Sequence, residues 1–260
     1  MPTVKEIIKS SLRAFDICIT RYSELEKLRE ESGAARDIQM LLTLPNEHAS
    51  QLIRHLKTSR SQFRQDLFVL SQLDFKTNGF FVEFGATNGI DLSNTYLLER
   101  EFGWAGILAE PARCWHWDLK RNRSAEIETK CVWKDSESTL TFNEVVAAEL
   151  STIDAYSGTD RHTEARRKGR TYEVSTISLN DLLSKHNAPK QIDYLSIDTE
   201  GSEFEILSNF DFSKHSFRVI TCEHNFTSAR ERVFELLSGN GYVRKHQGLS
   251  EVDDWYVKSG

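Results

Sequence analysis

The amino-acid sequence predicts an open α/β sheet, parallel except for its last strand, with an all-helical extension ahead of it. Three observations carry that reading. After the Asn78-Gly79 turn, short apolar runs alternate with stretches of helical period, the sign of a parallel sheet covered on both faces. The last two apolar runs are joined by a connection too short for a crossover, so they form a hairpin and the final strand runs antiparallel to its neighbour. Residues 1–58 carry only helical periodicity.

In chain order, Ile7, Ile8, Leu12, Phe15, Ile19, Tyr22, Leu25 and Leu28 recur every three or four positions from Val4 onward. They define one amphipathic helix up to a break at Ser32-Gly33, a helix that packs on the main domain or pairs with a second copy. A second helix follows to Leu44 and is stopped by Pro45, a third runs through Leu52, Ile53 and Leu56, and a fourth covers residues 62–73. The main domain is expected over residues 59–260, with strands at 80–84, 106–110, 126–132, 193–197, 218–222, 242–245 and 255–257. Helices at 94–101, 115–122, 179–186, 203–207 and 228–237 complete the strand-helix-strand units. Residues 142–173 fit neither period, and an irregular insertion of that length inside a compact domain is read as a lid.

With 260 residues, 39% hydrophobic and 28% charged, the chain has enough apolar material for one substantial domain plus an appendage. Its apolar runs fall short of the ~20 residues of a membrane span. Arg13 and Asp16 interrupt the first apolar stretch, which argues against a signal peptide and for a cytoplasmic protein. A net charge of −6 argues against nucleic acid as the main partner. Cys18, Cys114, Cys131 and Cys222 show no C-x-x-C spacing, which sets aside zinc and disulfide frameworks.

The first strand runs into Glu83-Phe84-Gly85-Ala86-Thr87-Asn88-Gly89, an acid-x-Gly-x-x-x-Gly pattern at the carboxyl end of the strand, the edge at which open α/β sheets bind ligands. A pyrophosphate needs bare backbone N–H groups there, and Glu83 would repel it. A carboxylate instead suits a cationic ligand such as S-adenosylmethionine, and the glycines permit close backbone approach. Glu110, followed by Pro111, ends the second strand where an acid accepts the hydrogens of a ribose diol.

The segments Ser61-Gln62-x-x-Gln65-Asp66, Phe81-Val82-Glu83-Phe84-Gly85-Ala86, Ser93-Asn94-Thr95-Tyr96-Leu97-Leu98-Glu99, Gly103-Trp104-x-Gly106-Ile107, Thr176-Ile177-Ser178-Leu179 and Ile197-Asp198-x-Glu200-Gly201-x-Glu203 occur in that order. Together they resemble the FkbM-type methyltransferases, class I S-adenosylmethionine-dependent O-methyltransferases that often modify sugar hydroxyls, over about residues 60–245. The resemblance implies a Rossmann-like sheet. It places Glu83, Gly85 and Gly89 at the methionine end of the cofactor, Glu110 at the ribose and the backbone near Cys131 and Val132 at the adenine, with Asn94 facing the same pocket. Trp133 departs from the small or polar residue common after the third strand.

Methyl transfer to a hydroxyl needs a positioned acceptor and a group to take its proton. Asp198 and Glu200 end the fourth strand and Glu223-His224-Asn225 end the fifth, so both groups converge beside the cofactor. Asp198 and Glu200 are therefore candidate catalytic residues, Asp198 doubling as a helix N-cap, and His224 is a candidate general base or a structural histidine. Alternatively Asp198 and Glu223, with Asn225, hold Mg²⁺ against a sugar diol. The insertion carries Arg161-His162 and Arg166-Arg167-Lys168-Gly169-Arg170, either a solvated loop or arginine forks that close over an anionic acceptor. No RNA-binding motif accompanies the basic run, which ranks RNA lower.

The reading that unites these features is an O-methyltransferase acting on a sugar, a glycan or a glycosylated small molecule, with the helical extension serving dimerisation or docking. A non-catalytic interaction module on the same fold is the alternative. A nicotinamide oxidoreductase is disfavoured by Glu83 and by the lack of a Tyr-x-x-x-Lys pair.

Overall fold

The first apolar run after the Asn78-Gly79 turn becomes the central strand of the molecule. In the computed structural model, which describes residues 22–158 and 163–259, β1 (Phe80–Phe84) pairs in parallel with β2 (Ala105–Ala109) on one side and β8 (Gln191–Ile197) on the other. Outward from these lie β3 (Glu126–Glu128) beside β2, and β9 (Ser216–Glu223), β11 (Asp253–Lys258) and β10 (Tyr242–Lys245) beyond β8. The seven-stranded sheet is therefore ordered β10-β11-β9-β8-β1-β2-β3, and β11 runs antiparallel to both neighbours. Strand order reverses at β1 and β8, the switch point at which such sheets open a crevice.

Phe81 faces one side of the sheet and Val82 and Phe84 the other, and both sides are buried, so the strand reads as a continuous apolar run. On the first side the core includes Phe68 of α3 (Gln65–Gln72), stacked at 4.6 Å on Trp255. Met40 and Leu44, from α1 (Tyr22–Thr43) and its C-terminal end, and Leu52 from α2 (Ala49–His55) join that same core. The described part of the helical extension thus shares its interior with the sheet. On the other side lie α7 (Leu179–Lys185), α8 (Glu203–Ser208) and α9 (Ala229–Gly239), while α4 (Tyr96–Phe102) and α5 (His116–Asn122) connect β1 to β2 and β2 to β3.

Three expectations are corrected. Helix α1 passes through Ser32-Gly33 without a break and ends at Thr43. Gly33 lacks the positive φ of a helix-ending glycine, and a glycine inside a helix costs only about 1 kcal/mol relative to alanine. The strand expected over 126–132 is two strands. The Glu128 carboxylate accepts the N–H groups of Thr129 and Lys130, at 3.0 and 3.1 Å, and turns the chain there. β4 (Cys131–Trp133) accordingly joins a second sheet, with β5 (Thr139–Glu144), β6 (Thr152–Ile153) and β7 (Arg170–Ser178), in the order β4-β7-β5-β6.

That second sheet narrows the insertion. β5 (Thr139–Glu144) and β7 (Arg170–Ser178) pair antiparallel from Thr139↔Ser175 to Glu144↔Arg170. Outside the pair the described residues 145–158 and 163–169 form an arm, holding the short strand β6 (Thr152–Ile153) and helix α6 (Thr163–Arg166). The expected positions 4–19 of the N-terminal helix and Arg161-His162 lie outside the described residues. Among the described residues no helix is long and apolar enough to cross a membrane.

Candidate active site

Parallel pairing with Phe84 opposite both Ala109 and Ile197, and Ile197 opposite Cys222, brings the carboxyl ends of β1, β2, β8 and β9 to one edge. Because β11 runs the other way, its first residue, Asp253, arrives at that edge opposite Glu223. A cavity of about 260 Å³ opens there. Its walls include Glu83, Gly85, Asn94, Glu110, Pro111 and Val132 at one end and Asp198, Glu200, Glu223 and Asp253 at the other.

Gly85 stands at φ +74°, and a Cβ on it would lie 2.2 Å from the Asp198 carbonyl oxygen, so this glycine is what lets the ends of β1 and β8 meet. Gly89 is not part of the cavity wall. Its hydrogen faces Arg123 Cγ and Leu119 Cδ1, which a Cβ would approach to 2.6 and 2.7 Å, and it serves to close α5 onto the turn.

Glu83 reaches the wall at 2% exposure, with its oxygens engaged by the chain itself. It accepts from the Ser93 and Thr95 hydroxyls and the Asn94 N–H, with Arg123 at 3.7 Å. Burial pushes its carboxyl up, and the Arg123 charge opposes that. The expectation that Glu83 meets a cation directly therefore narrows: its first task is to fold the Ser93–Thr95 turn. That turn aims Asn94 into the cavity. The Asn94 amide donates to Ser196 Oγ at 2.9 Å, and its buried Oδ1 has no hydrogen-bond partner.

Glu110 accepts the Thr87 N–H at one oxygen and the Ala112 N–H at the other, at 2.9 and 2.8 Å. Both oxygens keep a lone pair for further donors. Burial, above all, pushes this carboxyl up to about 7. Beside it Pro111, Val132, Phe142 and Ile153 form an apolar slot. Trp133 lies outside that slot, buried in the small sheet edge-on to Tyr156.

At the other end Asp198, Glu200 and Glu223 each bring a carboxylate oxygen within 4.8 Å of the others. Asp198 and Glu223 are the pair expected to hold Mg²⁺. Burial and then the Asp253 charge push Asp198 up to about 7, while burial and then Asp198 push Glu223 well above the carboxylate range. Among the described residues no cationic side chain pairs with Asp198, Glu223 or Asp253. The Asp198-Thr-Glu-Gly loop is held instead by Glu203, whose Oε1 accepts from Thr199 N, Thr199 Oγ1 and Gly201 N at 3.0 to 3.1 Å, so the N-cap role expected for Asp198 falls away.

Two groups of residues expected at the site lie elsewhere among the described residues. His224 does not line the cavity. Its Nδ1 accepts the Phe226 N–H at 3.0 Å, and it lines a small neighbouring pocket with Glu223, Arg230, Asp254 and Tyr256. The basic run also divides: Arg166 is 1% exposed and donates to Glu200 Oε2 at 2.8 Å, while Arg167 is exposed and pairs with Glu164. Among the described residues no lysine, arginine or histidine lines the cavity, so Arg166, Arg167, Lys168 and Arg170 do not supply the forks expected for an anionic acceptor.

Sequence reasoning missed Asp253, Gln65 as a wall residue, and the partner of Glu200. Gln65 donates from Nε2 to Asp253 Oδ2 at 2.7 Å and accepts the Phe63 N–H at Oε1. The available signal was a glutamine opening an otherwise apolar helix, Gln65-Asp66-Leu67-Phe68-Val69-Leu70. Nothing local marks Asp253, whose position depends on the direction of β11.

The reversed strand order, the Glu-x-Gly turn after β1 and the acid ending β2 beside an apolar slot define a class I, Rossmann-like methyltransferase. The family model of the methyltransferase FkbM domain matches residues 83–246, and the chain belongs to that family. Membership implies S-adenosylmethionine as methyl donor. Among solved structures, the precorrin-6y C5,15-methyltransferase of Geobacter metallireducens is 13% identical, with 75% of this chain and 87% of that one covered at a TM-score of 0.39. A putative RNA methyltransferase of Pyrococcus horikoshii is 11% identical, with 75% and 82% covered at 0.36. Comparison with curated proteins yields no match.

Proposed function

We propose that the protein transfers the methyl group of S-adenosylmethionine to a hydroxyl of a sugar or glycan. The side chains of the cavity fit that donor by their chemistry. Glu110, fixed by two N–H groups, offers lone pairs to a ribose diol, the slot beside it takes a flat apolar ring, and the orphaned Asn94 Oδ1 awaits a donor such as an ammonium. S-adenosylmethionine supplies an electrophilic methyl group, and its transfer to a hydroxyl releases one proton. The Asp198–Glu223 pair takes that proton.

The observation that carries this reading is a half-buried pair of carboxyls, Asp198 and Glu223, with oxygens within 4.8 Å of each other and no cationic partner among the described residues, in the same cavity as Glu110. Two carboxyls this close share a proton, and a base titrating near neutrality is suited to accept one from a hydroxyl. Carboxylates accept hydrogen bonds from hydroxyls and repel phosphates and uronates, so the acceptor is a neutral polyol. Glu200 is already matched by Arg166, so the transfer runs without Mg²⁺ and EDTA leaves it unchanged.

The experiment is calorimetric titration with S-adenosylhomocysteine, followed by methyl transfer to a panel of neutral and anionic saccharides. Micromolar binding lost in Glu110→Ala is expected, while Asp198→Asn binds and does not turn over. A wild-type protein, stripped of cofactor, that takes up no S-adenosylhomocysteine would instead support the interaction-module reading.

A further inference from the structure

The contacts of the arm with the sheet edge converge on one short stretch. Thr152 Oγ1 donates to the Glu200 carbonyl at 3.0 Å and to the Thr199 carbonyl at 3.3 Å. Tyr156 lies against Gly201, close enough that a Cβ there would meet its ring at 3.0 Å. Arg166 donates from Nη2 to the Glu200 carboxylate at 2.8 Å.

Arg166 does more than pair with Glu200. Its Nε donates to the Leu150 carbonyl at 2.8 Å, and its own carbonyl accepts from Asn143 Nδ2 at 3.0 Å. Leu150 belongs to the cavity wall, with Ala148, Ser151 and Ile153. One guanidinium therefore joins the 148–153 wall to the loop that follows β8, while the main-chain carbonyl of the same residue ties it to β5. Buried at 1% exposure, it cannot leave Glu200 for water without the arm moving. Glu200 is fixed in turn, at φ +58° and with Asn225 Nδ2 donating to the same oxygen at 3.2 Å. A buried pair of this kind adds little net stability over apolar packing but strongly penalises removal of one partner, which makes it suited to fixing an arrangement.

We propose that Arg166 is a positioning residue: acting through Glu200, it latches the arm onto the Asp198–Gly201 loop and seats residues 148–153 as a wall over the cavity. Wall and loop are then held as one unit. The proposal rests on the reading of this cavity as the methyl-transfer site only for its catalytic meaning, since the latch itself is a property of the protein alone.

The test is a double-mutant cycle on the full chain with Arg166→Gln, Glu200→Gln and the double variant, plus Arg166→Lys as the conservative change. Two readouts are followed: hydrogen exchange of residues 148–153, and the dissociation rate of S-adenosylhomocysteine. Each single variant is expected to speed both by about tenfold, within the ordinary range of coupling between sites. The double variant is expected to lose no more than either single, because both remove one latch. Arg166→Lys keeps the charge, recovers part of the effect, and stays folded if the glutamine variant does not. Additive effects in the double variant, or faster thermal unfolding with unchanged exchange at 148–153, would overturn the proposal. Absence of S-adenosylhomocysteine binding in the wild type would count against the methyl-transfer reading alone, because the exchange readout still reports on the latch.

Discussion

Asp253→Asn should make the protein more stable at pH 8 and leave it nearly unchanged at pH 4. Asp253 is buried with its carboxyl pushed up from 3.8 to about 7, by burial first, and is held by Gln65. A carboxyl whose folded value lies above its unfolded value binds more protons in the folded state between the two. Stability is therefore full below about pH 4 and falls as pH rises through 7. Taken alone, that difference is worth about 4 kcal/mol once the group is ionised. Asp198 and Glu223 titrate with it, so about 2 kcal/mol is the share expected for one substitution. Asparagine retains an oxygen for Gln65 Nε2 and removes the charge. Urea unfolding of wild type and variant at pH 4, 6 and 8 measures the difference directly. Parallel curves at all three pH values would refute the reasoning, because the carboxyl would then be no more strained when folded than when unfolded.

Three further outcomes follow from the geometry. Gly85→Ala forces a Cβ into the Asp198 carbonyl at a positive φ and should cost about 2–4 kcal/mol, visible as a fall in Tm of roughly 5–15 °C. His224→Ala should retain both S-adenosylhomocysteine affinity and methyl transfer, since the residue does not line the cavity; loss of turnover with intact binding would restore it as a base. Glu128→Ala removes the acceptor that turns the chain after β3 and the partner of Lys185, and should lower stability by about 1–3 kcal/mol in chemical denaturation.

The central strands were legible because fully buried parallel strands are written as unbroken apolar runs: Phe80-Phe81-Val82-Glu83-Phe84 begins and ends where the run does. The Glu83, Glu110 and Asp198 corner was equally readable, since strand ends of a doubly wound sheet meet by topology alone. What escaped reading depends on side chains acting over long separations. Gln65 and Asp253 are 188 residues apart and joined by one hydrogen bond. The turn at Glu128 is made by its own side chain, so composition over 126–132 still reads as one strand. β5 has exposed threonines on one face, and half of its pattern looks like loop. Arg166 sits in a run of like charges, and only burial separates it from Arg167.

The place of β11 carries a consequence for biosynthesis. It is the last described strand in chain order, yet it lies inside the sheet, between β9 and β10, and delivers Asp253 to the cavity. While a ribosome is still making the preceding strands, β9 has an open edge and the cavity lacks one wall. Non-local closure of this kind is slow to nucleate. A nascent chain therefore has no complete pocket until the β10–β11 hairpin docks, and a chain released before β11 would expose the unpaired edge of β9, the kind of surface that chaperones and proteases act upon.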